Sequence, residues 1–80
     1  MVKRRKSLLF KGSDKAKALG LHFRKIRKEK GIGQTELAQE ADVDRTTIVR
    51  LESGELSPTL DLLIILAEAL QVELKDLVDF

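Results

Sequence analysis

The chain lacks most of the residues from which catalytic and metal sites are built. Its 80 residues include no cysteine and one histidine, His22, which excludes a disulfide framework, a thiolate metal centre and a multi-histidine site. It has no glycine-rich phosphate loop after a strand and no pair of carboxylates in an evident pocket. Asp42 and Asp44 are explained as turn and helix-cap residues. We therefore expect no metal, no other cofactor and no enzymatic activity.

Long apolar runs are absent as well. No run approaches the ~18 residues needed to span a bilayer, and Leu8, Leu9 and Phe10 are too few for the apolar core of a signal peptide. The length allows one domain, which leaves no second domain for sensing a small molecule. We expect a soluble protein of the cytoplasm that binds neither a membrane nor a small-molecule ligand.

The charges sum to only +2 but are strongly segregated along the chain. Residues 1–30 carry 12 lysines and arginines against 2 acids, whereas residues 31–80 carry 3 against 11. A basic first third indicates a surface that faces a polyanion; alternatively, its lysines only solubilise a tail and a helix face. We predict a disordered basic arm over residues 1–13 and a folded domain over residues 14–80. The basic cluster of the arm consists of Lys3, Arg4, Arg5 and Lys6.

Apolar periodicity predicts a first helix over about residues 15–30. Leu19, Phe23 and Ile26 recur at i, i+4 and i+7, and they form its buried stripe. Gly20 lies inside this helix, where glycine costs ~1 kcal/mol relative to alanine. We therefore expect an irregular start to the helix near Gly20.

Residues 34–54 have the layout of two short helices joined by a tight turn. The first runs from Gln34 to about Ala41, and the second from about Arg45 to Ser53. Asp44 is a natural N-cap for the second helix, because its carboxylate can accept the free amides of the first turn. Gly54 supplies a left-handed stop at the other end.

The second of these helices has one buried and one outward face. Ile48 and Leu51 are expected to be buried, which leaves guanidinium and hydroxyl groups outside. A short helix of this kind, supported by a preceding helix, suits insertion into the major groove of DNA. The outward residues are Arg45, Thr46, Val49 and Arg50.

The last third of the chain predicts two more helices. The run from Leu60 to Leu70 is apolar on nearly every side, which is typical of a helix buried on more than one face. Pro58 is expected at or near its first turn, and a fifth helix is expected over about residues 74–79. Five helices leave no room for a sheet, so the predicted fold class is all-α. One predicted buried stripe of the fourth helix consists of Leu60, Leu63, Leu66, Ala67 and Leu70.

The chain resembles the lambda-repressor-like or Cro-type helix-turn-helix regulators, also called the XRE family. The resemblance covers about residues 19–77 and implies a compact five-helix DNA-binding domain. It is similar in particular to the restriction–modification controller proteins, through Asp44, Arg45 and Thr46. The other motifs that support the resemblance are Gln34-x-x-Leu37-Ala38, Val43, Ile48-x-x-Leu51-Glu52-x-Gly54, Pro58-Thr59-Leu60 and Ala67-x-x-Leu70-x-Val72.

The resemblance implies roles for the residues of the helix-turn-helix. Alternatives stay open: Arg45 could clamp a phosphate without base preference, and Gln34 could be a solvated glutamine. The residues implied to contact base edges are Arg45, Thr46, Val49 and Arg50. The residues expected to contact phosphates are Gln34, Thr35, Thr47, Arg27 and, from the arm, Lys3, Arg4, Arg5 and Lys6.

The resemblance also implies a partly buried ion pair between Arg27 and Glu52, which would tie the first helix to the third. Three positions depart from the family pattern, and the first is Gly33, which replaces the usual hydroxyl cap of the helix that begins at Gln34. Gln71 stands where a glycine commonly ends the fourth helix, and Glu55 stands where relatives often carry a base that contacts phosphate. The acid makes loop contacts to the DNA backbone less certain than the helix contacts.

The function that follows is a sequence-specific regulator of transcription, bacterial or from a phage, that acts at the nucleoid. We expect a homodimer on a palindromic double-stranded DNA site, since one helix-turn-helix rarely binds tightly alone. The alternative is an antitoxin or adaptor that uses the same fold to bind a protein. Leu77 is assigned to the core. The residues assigned to the dimer interface, or alternatively to ordinary core, are Leu62, Ile65, Leu74, Val78 and Phe80.

Overall fold

A computed structural model describes residues 13–80, and these residues fold into α-helices without a strand. The helices are α1 (Asp14–Glu29), α2 (Gln34–Ala41), α3 (Arg45–Ser53), α4 (Leu60–Leu70) and α5 (Leu74–Val78). The all-α prediction is confirmed for this part of the chain. The predicted basic arm lies outside the described residues, apart from Ser13. In the described part, no helix has both the length and the apolarity that crossing a membrane would require.

A single hydrophobic core joins all five helices. Every helix contributes at least one side chain that is almost completely shielded from solvent: Phe23, Leu37, Ile48, Leu51, Leu66 and Leu77. The prediction that Leu77 belongs to the core is confirmed. The prediction that Leu60 is buried was wrong, because Leu60 is the first residue of α4 and is 61% exposed. The periodicity of a helix does not show where the neighbouring helices stop covering it.

Gly20 allows α1 to lie directly against the backbone of α3. The expected irregular start was wrong, because α1 continues through Gly20 from Asp14 to Glu29. A Cβ atom at Gly20 would lie 2.4 Å from the carbonyl oxygen of Leu51 and 2.6 Å from that of Glu52. Any larger residue would therefore push the two helices apart.

The predictions for the helix ends are confirmed at some positions and wrong at others. Gly54 ends α3 in the left-handed conformation, with φ 83°, as predicted. Asp44 occupies the N-cap of α3, but its side chain makes no capping hydrogen bond, so the predicted role of its carboxylate was wrong. Pro58 precedes the cap of α4, because Thr59 is the N-cap and its hydroxyl accepts the amide of Leu62 at 3.1 Å.

Gln71 ends α4 in the conformation that glycine usually adopts. Its φ is 60°, in the left-handed region that costs a residue with a Cβ atom roughly 1–2 kcal/mol. The backbone amide of Gln71 donates to the carbonyl of Glu68 at 3.1 Å. The backbone amide of Val72 donates to the carbonyl of Ala67 at 3.0 Å. The paired carbonyls hold the turn between α4 and α5 despite the missing glycine.

Candidate nucleic-acid interface

The helix α3 presents one polar face to solvent. Ile48 and Leu51 anchor the opposite face in the core, where both are fully buried. Because residues of a helix that are three or four apart share a face, Thr46 and Arg50 lie together on the side away from these two anchors. Arg45, Thr46 and Arg50 are exposed, whereas Thr47 and Val49 are half-buried.

The turn before α3 fixes its position relative to α2. Asp42 ends α2 with φ 58°, in the left-handed region that aspartate tolerates better than most residues. The amide of Val43 then donates to the carbonyl of Ala38 at 2.9 Å, and the Val43 side chain packs against the core. The chain therefore reverses within a few residues, and α3 lies across α2 with little freedom.

A buried ion pair ties α3 to α1. Nε of Arg27 donates to one carboxylate oxygen of Glu52 at 2.6 Å, and Nη2 donates to the other at 3.0 Å. Nη1 donates to the carbonyl of Ile32 at 2.8 Å. Arg27 is 6% exposed and Glu52 is 7% exposed, so the charges are almost completely removed from water. A bidentate pair of this kind has a defined orientation as well as energy, and it fixes the end of α3 on the body of the protein.

Gln34 links this ion pair to the exposed face of α3. Its Nε2 donates to Glu52 at 3.1 Å, and its Oε1 accepts from Nη2 of Arg45 at 3.2 Å. Four side chains from three helices therefore form a continuous network from the interior to the surface. The outermost member is Arg45, which the sequence assigns to base contact. Its Nη2 donates to Gln34, and the side chain is otherwise exposed to solvent.

The comparisons with known proteins agree with this arrangement of helices. The helix-turn-helix family HTH_3 matches residues 23–77. The chain belongs to this family. A relative from Methanothermobacter thermautotrophicus, described as an uncharacterized HTH-type transcriptional regulator, is 49% identical over 48 residues, which are 60% of this chain and 70% of the relative.

Solved structures of other regulators have the same fold as this HTH_3 protein. The restriction–modification controller protein C.AhdI from Aeromonas hydrophila is 33% identical with a TM-score of 0.74, covering 80% of this chain and 96% of its own. The clp gene regulator ClgR from Corynebacterium glutamicum is 29% identical with a TM-score of 0.78, covering 81% and 83%. The chain is thus a DNA-binding helix-turn-helix regulator of transcription of the XRE type, and its family and neighbours are regulators rather than enzymes.

The residues that the sequence assigns to phosphate contact occupy different environments in this HTH_3 regulator. Thr35 is exposed in the first turn of α2, next to Gln34, and the N-terminus of α2 has no side-chain cap because Gly33 precedes it. Arg27 is buried, and its guanidinium donates to internal acceptors. Lys3, Arg4, Arg5 and Lys6 lie outside the described residues. The phosphate contacts stay predictions.

The residues assigned to the dimer interface fall into two groups. Leu62 and Leu74 are half-buried and pack against the core of their own chain, whereas Ile65, Val78 and Phe80 are exposed. Among the described residues, sequence reasoning missed three further large hydrophobic side chains that are exposed. These are Leu21, Leu60 and Ile64. Leu60 and Ile64 were hidden in a run that is apolar on every side, and no pattern in the run distinguishes its solvent face.

Proposed function

We propose that the protein binds a palindromic DNA site as a homodimer, with α3 of each protomer in the major groove. The observation that supports this most strongly is the position of Arg45. Its guanidinium is exposed on α3 and is held by Gln34, which the buried Arg27–Glu52 pair orients in turn. A guanidinium fixed before binding loses less conformational freedom when it meets a base. The activity requires access to the nucleoid, so we expect the protein in the cytoplasm.

Base contacts are assigned to the exposed face of α3. Arginine can donate two hydrogen bonds to O6 and N7 of guanine, which is worth ~1–3 kcal/mol of discrimination against another base. Arg45 and Arg50 supply the two guanidinium groups. Thr46 lies between them and offers a methyl group to thymine or a hydroxyl to a polar edge. Val49 is half-buried and can contact a thymine methyl group only at its exposed edge.

Phosphate contacts are assigned to the start of α2 and to the basic arm. The free amides at a helix N-terminus attract anions, and no side chain caps those of α2. Gln34 and Thr35 lie beside these amides, and Thr47 lies in the first turn of α3. We give Arg27 a supporting role, because its guanidinium is directed at Glu52 and Ile32. The arm would add contacts through Lys3, Arg4, Arg5 and Lys6.

The dimer surface is assigned to α4, α5 and the residues that follow. Ile65, Val78 and Phe80 expose apolar area there, and Leu62 and Leu74 would lie at its edge. The helix α5 packs on α1 and α4, so we expect a second copy seated on this surface to leave α3 accessible. A two-fold dimer can then present two copies of α3 about 34 Å apart, one turn of DNA.

The competing proposal is a protein-binding adaptor or antitoxin with the same fold. Glu55 favours it, because this exposed acid follows α3 where a phosphate would approach. Salt dependence separates the two proposals. Binding through phosphates weakens steeply as salt rises, with a slope near −0.9 per neutralised phosphate on a log–log plot. A slope near zero on duplex DNA would favour the adaptor.

Replacing Arg45 by alanine is expected to weaken binding to the preferred duplex by about 1–3 kcal/mol, because the bidentate contact to guanine is lost. The preference at a single base pair in each half-site should disappear, while binding to unrelated DNA changes little. Fluorescence anisotropy with a set of duplexes, each altered at one position, measures both effects.

Arg45→Lys is the matched control, because lysine keeps the charge but cannot make the bidentate contact. We expect it to bind unrelated DNA like the wild type and still to lose the base preference. If Arg45→Ala weakens binding to every duplex equally, Arg45 contacts phosphate and the base assignment is wrong.

A further inference from the structure

His22 connects α1 to the C-terminal residues of the chain. Its Nε2 is 2.6 Å from the carbonyl oxygen of Asp76 in α5. A carbonyl oxygen only accepts, so Nε2 of His22 carries the hydrogen and donates it. The imidazole ring also lies against the ring of Phe80, with 6.1 Å between centroids and a tilt of 36°. The half-buried histidine therefore contacts both α5 and Phe80, which lies two residues beyond the end of the helix.

The helix α5 is too short to hold this position by itself. It has five residues, and isolated helices of that length are unstable in water. Its start is capped, since the amide of Glu73 donates to the carboxylate of Asp76 at 3.0 Å. Leu77 is buried in the core and Leu74 is half-buried against it, whereas Val78 and, beyond the end of the helix, Phe80 are exposed, the latter by 53%. The direction of these two side chains depends on how firmly α5 is held against α1.

We propose that His22 is a positioning residue for self-association: it holds α5 so that Val78 and Phe80 present one fixed surface to a second copy of the chain. The inference rests on the proposed homodimer and names a residue that this assembly needs. When α5 detaches, the surface is lost, so the apparent affinity falls with the fraction of chains in which α5 is held. Because both protomers must present the surface, the apparent dimer affinity falls with the square of that fraction.

The helix α3 does not depend on His22. It is held by the Arg27–Glu52 pair, by Gln34 and by the buried Ile48 and Leu51. Loss of the histidine should consequently weaken dimerisation without changing how one protomer contacts one DNA half-site. A residue with only a general structural role would weaken both.

The experiment compares the full chain with its His22→Ala and His22→Gln variants. Sedimentation equilibrium measures the dimer dissociation constant, which we expect to rise about tenfold or more in His22→Ala. Hydrogen exchange should show the amides near the end of α5 exchanging about tenfold faster in this variant, with those of α3 unchanged. Binding to a duplex with a single half-site should stay within about twofold of the wild type. Glutamine can donate from a similar position, so His22→Gln should restore much of the dimerisation.

Phe80→Ser separates failure of the inference from failure of the proposed dimer. If Phe80→Ser dissociates the dimer while His22→Ala leaves its dissociation constant and the α5 exchange rates unchanged, the positioning role is wrong and the dimer surface stands. If Phe80→Ser leaves the dimer intact, or if the wild-type chain stays monomeric, the proposed surface fails and the inference fails with it. Weaker half-site binding by His22→Ala, equal to its loss of dimerisation, would also overturn the positioning role.

Discussion

Replacing Arg27 by methionine is expected to lower the free energy of unfolding by about 3–5 kcal/mol. The reason is that Glu52, only 7% exposed, would keep its carboxylate in the interior without the guanidinium that neutralises it. Because a core of this size supplies only about 3–5 kcal/mol in total, the variant should be largely unfolded at 25 °C. Urea denaturation followed by far-UV circular dichroism measures the loss.

The matched control is the double variant Arg27→Met with Glu52→Leu. Replacing both partners of a buried pair by apolar residues of similar size is often neutral, so most of the stability should return. DNA binding should not return with it, because Gln34 loses the acceptor that orients it toward Arg45. If Arg27→Met alone costs less than about 1 kcal/mol, the pair contributes little and the network does not hold α3.

Gly20→Ala should destabilise the protein by about 1–3 kcal/mol, the range found when a packed core receives one extra group. Inside an exposed helix the same change would stabilise by about 1 kcal/mol. The sign reverses because the new Cβ atom would meet the carbonyl oxygens of Leu51 and Glu52 at 2.4 and 2.6 Å. These are backbone atoms and cannot rotate away, so α1 and α3 must separate. Thermal unfolding of the purified variant measures the change.

Ala18→Gly provides the comparison for this prediction. Ala18 is exposed on α1, so its replacement should cost only the helix propensity of glycine, about 1 kcal/mol. Gly20→Ala should therefore lower the stability at least as much as Ala18→Gly, although the two substitutions are opposite. An increase in stability for Gly20→Ala would show that α1 does not lie against the backbone of α3.

The sequence predicts the local parts of this structure well, for physical reasons. The helices α2 and α3 are set by apolar spacing and by the left-handed stop at Gly54, which depend on neighbouring residues. The sequence fails where distant segments meet. Nothing near Gly20 shows that the carbonyls of Leu51 and Glu52 will approach it, and nothing near His22 shows that its acceptor is Asp76, which is 54 positions away.

The arrangement of side chains in the candidate site can be predicted from the sequence to a similar degree. The outward face of α3 follows from the spacing of Ile48 and Leu51, and the partnership of Arg27 and Glu52 came from the family resemblance. The bond from Gln34 to Arg45 was not foreseen, since Gln34 was assigned only to phosphate. It depends on the angle at which α2 and α3 cross, and the turn at Asp42 sets that angle through the left-handed conformation of its backbone.

The most direct test of the central claim is selection from a pool of randomised duplexes with the purified full chain. Our account predicts enrichment of an inverted repeat, with guanines in each half-site and half-site centres separated by about 10–10.5 base pairs. The same selection with Arg45→Ala should lose the preference for one of those guanines. Enrichment of no sequence, by a chain that is folded and soluble, would contradict the claim that α3 recognises DNA.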